Sequence, residues 1–126
     1  MPGKPKLLIV EDERDYRELL EGILRKAGYA VVSAHNGAQA LERLASERPA
    51  LILLDLNLPD TDGYALCRRI RGDAEFGRIP IIMVTVQSDT SSIAQGLRLG
   101  ADDYVAKPFD PEEVAARVSS LLKQAA

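Results

Sequence analysis

The sequence predicts an α/β protein built on a doubly wound, five-stranded parallel sheet that is flanked by five helices. Two observations support this fold class. Short continuous apolar runs alternate five times with longer stretches in which apolar residues recur every three or four positions. The apolar runs show no alternation with polar residues, which is typical of strands buried on both faces. Right-handed crossovers between parallel strands then place helices on both sides of the sheet.

Each predicted element has its own pattern. The strands are predicted at 6–10, 30–34, 50–54, 81–85 and 103–106. Three helices are predicted at about 13–27, at 63–71 and at 89–99. Two more are predicted to begin after capping residues at 36 and 110. The apolar stripe of the first helix includes Tyr16, Leu19, Leu20, Ile23 and Leu24.

Residues at the predicted helix ends favour the same boundaries. Gly28 supplies a left-handed stop after the first helix. Asn36 followed by Gln39 is a capping-box pattern at the start of the second helix. Asp110 and the proline after it are typical of a helix start. The fourth helix, 89–99, has the weakest pattern because serine, threonine and glycine are poor helix formers.

Size and composition exclude several classes of protein. The 126 residues fit one compact domain, and a net charge of −3 argues against a nucleic-acid-binding surface. The single cysteine excludes an intramolecular disulfide and suits a reducing compartment. The apolar runs are too short for a signal peptide or a membrane span. We therefore expect a cytoplasmic protein that binds neither nucleic acid nor membrane directly.

Polar residues end or directly follow four of the five predicted strands. Glu11 and Asp12 come after the first strand, and Asp55 comes after the third. Thr85 ends the fourth strand, and Lys107 follows the fifth. Because the carboxyl ends of parallel strands meet at one edge, these side chains converge if the first, third, fourth and fifth strands are neighbours. The sequence therefore predicts one polar site at this edge.

Three carboxylates at one edge require a counter-charge. Two carboxylates about 5 Å apart repel each other by roughly 3 kcal/mol at an effective dielectric constant of ~20. Lys107 supplies one positive charge, and the remaining repulsion favours a bound divalent cation. Oxygen ligands without histidine or cysteine favour Mg²⁺, or Mn²⁺, over zinc. An aspartate beside such a metal is a known kind of phosphoryl acceptor.

Four segments of the chain resemble the receiver domain of two-component response regulators. They are Ile-Val-Glu-Asp-Glu at 9–13, Leu-Leu-Asp-Leu-Asn-Leu-Pro-Asp-Thr-Asp-Gly at 53–63, Thr85, and Leu-Gly-Ala-Asp-Asp-Tyr-Val-Ala-Lys-Pro-Phe at 99–109. The resemblance covers nearly the whole chain. It implies a flavodoxin-like sheet with strand order 2-1-3-4-5. It also implies a single receiver domain over 1–126, with no effector domain in this chain.

The resemblance implies a role for each matching residue of the polar site. Asp55 is the expected phospho-acceptor, which takes its phosphoryl group from a sensor histidine kinase or a phosphotransfer protein. Glu11 and Asp12 are expected to hold Mg²⁺ together with Asp55 and the backbone carbonyl of Asn57. Lys107 is expected to pair with the phosphoryl oxygens.

The resemblance also implies how the domain switches. Thr85 and Tyr104 are the expected switch pair, which alters the face of the fourth helix, fifth strand and fifth helix. That face would control a downstream effector domain or protein. The Lys107–Pro108 bond matches a cis peptide of the family, and proline makes a cis bond at low cost.

Several residues depart from or tune the family pattern. Val86 stands where the family usually keeps a small residue, and it is expected to narrow access to Asp55. Asn57 and Gln87 occupy positions that tune dephosphorylation in the family.

The resemblance leaves open whether the domain forms a homodimer through the face of the fourth helix, fifth strand and fifth helix. Asp103 and Arg117 match residues of such dimers. Ile93 stands where the DNA-binding subfamily that dimerises through this face has a basic residue.

Three other functions would use the same architecture with different residues. A phosphatase that works through an aspartyl phosphate usually has a second aspartate where this chain has Asn57. A flavin or dinucleotide carrier needs glycine, serine or threonine after the first strand, where this chain has Glu-Asp-Glu at 11–13. A scaffold that is never phosphorylated would not need the acceptor or the acidic pair. We therefore predict a phospho-accepting switch and not an enzyme.

Other polar residues have simpler interpretations. His35, the only histidine, is expected at the surface. Cys67 is expected to be a small buried or half-buried residue. Arg68, Arg69 and Arg71 form a local basic cluster on the third helix, and we expect a solvated helix face there, with partner docking as the alternative.

Overall fold

Five parallel strands form one sheet in the order β2-β1-β3-β4-β5, as predicted. The computed structural model describes residues 4–86, 94, 97, 98 and 100–125. The strands are β1 (Lys6–Val10), β2 (Ala30–Ala34), β3 (Leu51–Asp55), β4 (Ile81–Thr85) and β5 (Asp103–Ala106). The helices are α1 (Arg14–Lys26), α2 (Gly37–Glu47), α3 (Gly63–Arg71) and α4 (Pro111–Ala125). Strand order and helix placement together give the doubly wound fold.

The described residues contain four complete helices, where the sequence predicts five. The predicted fourth helix, 89–99, lies mostly outside the described residues, although Ala94, Leu97 and Arg98 within it are helical. The helix predicted as the fifth is α4. None of the described helices is long and apolar enough to cross a membrane.

The sheet is covered on both faces by apolar side chains. Successive residues of a strand point to opposite faces, so β1 and β3 contribute to both cores. One core contains Leu8, Val10, Ile52 and Leu54, together with buried residues of α2 and α3: Ala40, Leu44, Leu66, Cys67 and Ile70. The other contains Leu7, Ile9, Leu51 and Leu53, together with buried residues of α1 and α4: Leu20, Leu24, Val114, Val118 and Leu121. The carboxyl ends of the central strands are thereby fixed between two packed layers.

The predicted helix ends are confirmed, with one change of partner. Gly28 has a φ of 101° after α1. The Asn36 side chain accepts a hydrogen bond from the Gln39 N–H at 2.8 Å. The Gln39 side chain in turn accepts from the N–H of His35 at 2.8 Å, one residue before the cap. Asp110 accepts from the N–H of Glu112, the second residue of α4, at 2.9 Å.

The prediction that Arg71 belongs to a solvated basic face is wrong. Its guanidinium donates to the backbone carbonyls of Gly100 at 2.7 Å and Ile79 at 2.5 Å. It also pairs with the Asp102 carboxylate at 2.7 Å, and its side chain is 20% exposed. Arg71 therefore joins the end of α3 to the segments that lead into β4 and β5. Arg68, on the same helix, is exposed as predicted.

Candidate functional site

Three carboxylates meet at the carboxyl edge of the sheet. β1 and β3 are hydrogen-bonded neighbours with Val10 opposite Leu54, so Glu11 and Asp55 lie side by side at the next position. One carboxylate oxygen from each of Glu11, Asp12 and Asp55 lies within 4.8 Å of the others. Glu11 and Asp55 are buried, and Asp12 is exposed. The predicted convergence of these three residues is confirmed.

Lys107 brings one positive charge to the same place. Its Nζ lies 2.6 Å from Glu11 Oε1 and 3.7 Å from Asp55 Oδ2, and its side chain is 3% exposed. The Lys107 N–H donates to the carbonyl of Thr85 at 2.8 Å, which ties the loop after β5 to the end of β4. The site therefore holds one ammonium group against two buried carboxylates and one exposed carboxylate.

Burial changes the titration of the two buried acids of the site. Burial raises the pKa of Glu11 from 4.5 to about 7, although the Lys107 ammonium opposes the shift. Burial also raises the pKa of Asp55, against the opposing effects of Lys107 and of the Asn57 N–H, which donates to the carboxylate. Ionisation of these two acids is therefore costly in the protein without a metal ion.

The donor atoms of the site fit Mg²⁺. All three acidic side chains offer oxygen, the ligand type that Mg²⁺ prefers. Glu11 Oε1 is buried, and the Lys107 ammonium, 2.6 Å away, leaves lone pairs of this oxygen unused. A buried carboxylate oxygen with unused lone pairs is suited to a cation. Glu11, Asp12 and Asp55 are the residues that would hold it.

The predicted switch residues lie on neighbouring strands. Thr85 is buried at the end of β4, and Tyr104 is half-buried on β5. Thr85 is opposite Ala106 and Tyr104 is opposite Met83, so the two side chains point to the same face of the sheet as diagonal neighbours. Tyr104 packs against the core that contains Met83. Their roles in switching remain predictions.

Two tuning residues and the cis peptide can also be placed. The Lys107–Pro108 bond is cis, as predicted. Val86 follows Thr85 and is 58% exposed, and its effect on access to Asp55 remains a prediction. Gln87 lies outside the described residues.

The loop after Asp55 is held by contacts that the sequence did not reveal. The two carboxylate oxygens of Asp60 accept from the N–H groups of Gly37 at 2.7 Å and Ala38 at 3.0 Å, at the start of α2. These hydrogen bonds lower the pKa of Asp60. At the end of the loop, a Cβ on Gly63 would lie 2.6 Å from the carbonyl oxygen of Asp55, so only glycine fits there without displacement. The loop that carries Asn57 is thus fixed at Asp60 and at its end, where Gly63 begins α3.

Asp103 and Arg117, the two residues that match a dimer face, form an ion pair with each other within the chain. Arg117 Nη1 donates to both carboxylate oxygens of Asp103, at 2.7 and 2.9 Å. Arg117 Nε also donates to Glu113 at 3.1 Å. Ile93, which bears on the same question, lies outside the described residues. A homodimer through this face remains a prediction.

Comparison with known proteins identifies the family. Residues 7–119 match the family described as the response regulator receiver domain. This chain belongs to that family. The two-component receiver domain predicted from the four segments is therefore confirmed, and its sheet has the flavodoxin-like strand order expected of it.

Curated relatives extend beyond the receiver domain. The transcriptional regulatory protein GltR of Pseudomonas aeruginosa is 46% identical over 119 residues, which are 94% of this chain and 49% of the relative. The transcriptional regulatory protein BaeR of Escherichia coli is 48% identical over 120 residues, which are 95% of this chain and 49% of the relative. The chain therefore spans about half the length of the curated relatives it matches.

Solved structures share the whole fold. A structure from Chloroflexus aurantiacus, described as that of a response regulator, is 41% identical with a TM-score of 0.92 and covers 97% of this chain and 99% of its own. The signal receiver domain of a signal transduction histidine kinase from Syntrophus aciditrophicus is 38% identical with a TM-score of 0.87. That likeness covers 95% of this receiver domain and 91% of the other chain.

Proposed function

We propose that this receiver domain accepts one phosphoryl group on Asp55 from the phosphohistidine of a sensor histidine kinase or a phosphotransfer protein. The proposal rests on one arrangement. Asp55 is buried at the carboxyl edge, oxygens of Glu11 and Asp12 lie within 4.8 Å of it, and Lys107 Nζ is 3.7 Å from its Oδ2. Family membership supports the same reaction.

Each residue of the site contributes to the transfer by charge and position. An oxygen of the ionised Asp55 attacks phosphorus, the phosphorus–nitrogen bond of the donor breaks, and the imidazole leaves with the bonding electron pair. The Lys107 ammonium pairs with the transferred oxygens, whose charge it neutralises in part. A Mg²⁺ ion held by Glu11, Asp12 and Asp55, and by the backbone carbonyl of Asn57, supplies the remaining positive charge when it is bound; Mn²⁺ offers the same oxygen chemistry.

The output follows from a shift between two conformations. The phosphoryl group favours the state in which Thr85 donates to one of its oxygens and Tyr104 turns inward on the same face of the sheet. The group shifts the population only as far as it binds this state more tightly. This shift alters the face of β5, α4 and the predicted helix at 89–99. That face controls a downstream effector. Two relatives are named transcriptional regulatory proteins, which supports a transcriptional output.

The domain is proposed to be a switch and not a turnover enzyme. Asn57 stands where a phosphatase that works through an aspartyl phosphate would place its acid, so the acyl phosphate has no built-in proton donor at that position. We expect the reaction to take place in the cytoplasm, where its kinase or phosphotransfer partner presents the phosphohistidine.

Labelling with a small phosphodonor tests the proposed function. Acetyl phosphate with MgCl₂ should add one phosphoryl group to the wild-type protein, measured by intact mass. Asp55→Asn should stay unmodified because the nucleophilic oxygen is lost. Asp15→Asn removes an exposed acid in the first turn of α1, outside the cluster, and should be labelled like wild type. Equal labelling of Asp55→Asn, or no labelling of wild type, would contradict the proposal.

A further inference from the structure

The ring of Tyr16 covers the ammonium group of Lys107. Lys107 Nζ lies 4.2 Å from the centroid of the ring. Tyr16 belongs to the first turns of α1, and the sequence pattern predicts it only as part of the apolar stripe of that helix. A half-buried ring with a cation over its face makes an electrostatic contact that a ring packed on aliphatic side chains does not make. The negative face of an aromatic ring attracts a cation, most strongly where water is excluded.

Phe109 supports Tyr16 from the loop that carries the lysine. The two ring centroids are 6.0 Å apart, with 55° between the ring planes. Phe109 lies two residues after Lys107 and packs against the core formed by α1, α4 and the sheet. The aromatic pair therefore joins the start of α1 to the loop after β5. A tilted arrangement at this separation is a favourable geometry for two aromatic side chains.

The lysine needs a second contact to fix its direction. Its four-carbon chain is flexible, and its ammonium can rotate freely about the last bond. The ion pair with Glu11 at 2.6 Å holds the nitrogen at one point. The ring of Tyr16 provides a separate contact, so the nitrogen is held between a carboxylate and an aromatic face at 3.7 Å from Asp55 Oδ2.

We propose that Tyr16 is a positioning residue, whose ring holds the Lys107 ammonium beside Asp55 where it meets the incoming phosphoryl group. This inference rests on the proposed function. Tyr16 acts through Lys107 and contacts none of the reacting atoms itself. The ring and not the hydroxyl is the required part, because the contact is with the face of the ring.

Rates of labelling by acetyl phosphate with MgCl₂ test this proposal. Tyr16→Leu should be labelled about tenfold more slowly than wild type, since the cation–ring contact is lost. Tyr16→Phe keeps the ring and should stay within about twofold of wild type. Tyr29→Leu removes a half-buried tyrosine that packs against the same core as Phe109, and it should leave the rate unchanged. Tyr16→Met replaces Tyr16→Leu if the latter does not fold.

The NMR signals of Lys107 provide a readout independent of phosphorylation. In wild type and Tyr16→Phe the Hε protons of Lys107 should be shifted upfield by the ring, and in Tyr16→Leu or Tyr16→Met that shift should disappear. A wild-type labelling rate in a folded ringless variant, or unchanged Lys107 signals in it, would overturn the positioning role. If wild type takes up no phosphoryl group, the proposed function fails and the Hε shifts alone decide whether Tyr16 positions Lys107.

Discussion

Without a divalent cation, the protein should lose stability as the pH rises from 5.5 to 8, by about 2 kcal/mol from Glu11 alone. The folded-state pKa of Glu11 is about 7, above its ordinary value of 4.5, because the carboxyl is buried. The folded state therefore binds this proton more tightly than the unfolded state. The resulting stability is fully present below about pH 4.5 and is lost as the pH rises through about 7. Urea unfolding at several pH values measures the slope.

Glu11→Gln is the variant that isolates this effect. The glutamine cannot ionise, so most of the loss of stability between pH 5.5 and 8 should disappear. Glu18→Gln removes an exposed carboxylate that pairs with Arg14 on α1, and it should keep the wild-type slope. Saturating MgCl₂ should raise the stability of wild type at pH 8, since a ligand that binds only the folded state stabilises it. An equal slope in Glu11→Gln would contradict the assignment.

Lys107→Met should destabilise the protein and nearly abolish its labelling. Removal of the ammonium leaves the buried carboxylates of Glu11 and Asp55 without their positive partner, which typically costs about 3 kcal/mol or more. The loss should be largest at pH 8 and much smaller at pH 5.5, where Glu11 binds a proton. Labelling by acetyl phosphate should fall by at least roughly tenfold, because the transferred oxygens lose a charged partner.

An exposed lysine provides the matched control. Lys123→Met removes an ammonium from the last turn of α4 and should change neither stability nor labelling. Unfolding curves and labelling rates are measured on the same preparations. Wild-type stability at pH 8 in Lys107→Met would show that the ammonium does not compensate the buried acids.

Most of the architecture could be predicted from local sequence. Continuous apolar runs marked the strands, and the residues directly after them marked the site, since strand ends converge in any parallel sheet. The third strand was predicted at 50–54 and is Leu51–Asp55. The difference arises because the ladder with β1 starts at the Leu7–Leu51 pair and extends through the β3–β4 pair of Asp55 and Val84. Asp55 is thus the last residue of the strand.

The contacts that sequence patterns could not reveal join residues far apart in the chain. Asp60 reaches the start of α2 across 22 and 23 positions, and Arg71 reaches Asp102 across 31. A carboxylate in a loop or an arginine on a helix surface is usually solvated, so its residue type gives no signal of such a partner. The place of Tyr16 in the apolar stripe of α1 gave no information about whether a cation lies over its ring. These contacts become visible only when the strands and helices are assembled.

A calorimetric titration with MgCl₂ at pH 8 tests the shared acidic site most directly. Wild type should bind one Mg²⁺, and Asp12→Asn and Asp55→Asn should each weaken that binding by at least roughly tenfold, because each removes a charged ligand. Asp73→Asn changes an exposed acid in the connection between α3 and β4 and should bind like wild type. Failure of wild type to bind Mg²⁺, or undiminished binding by both site variants, would show that Glu11, Asp12 and Asp55 do not act as one metal site.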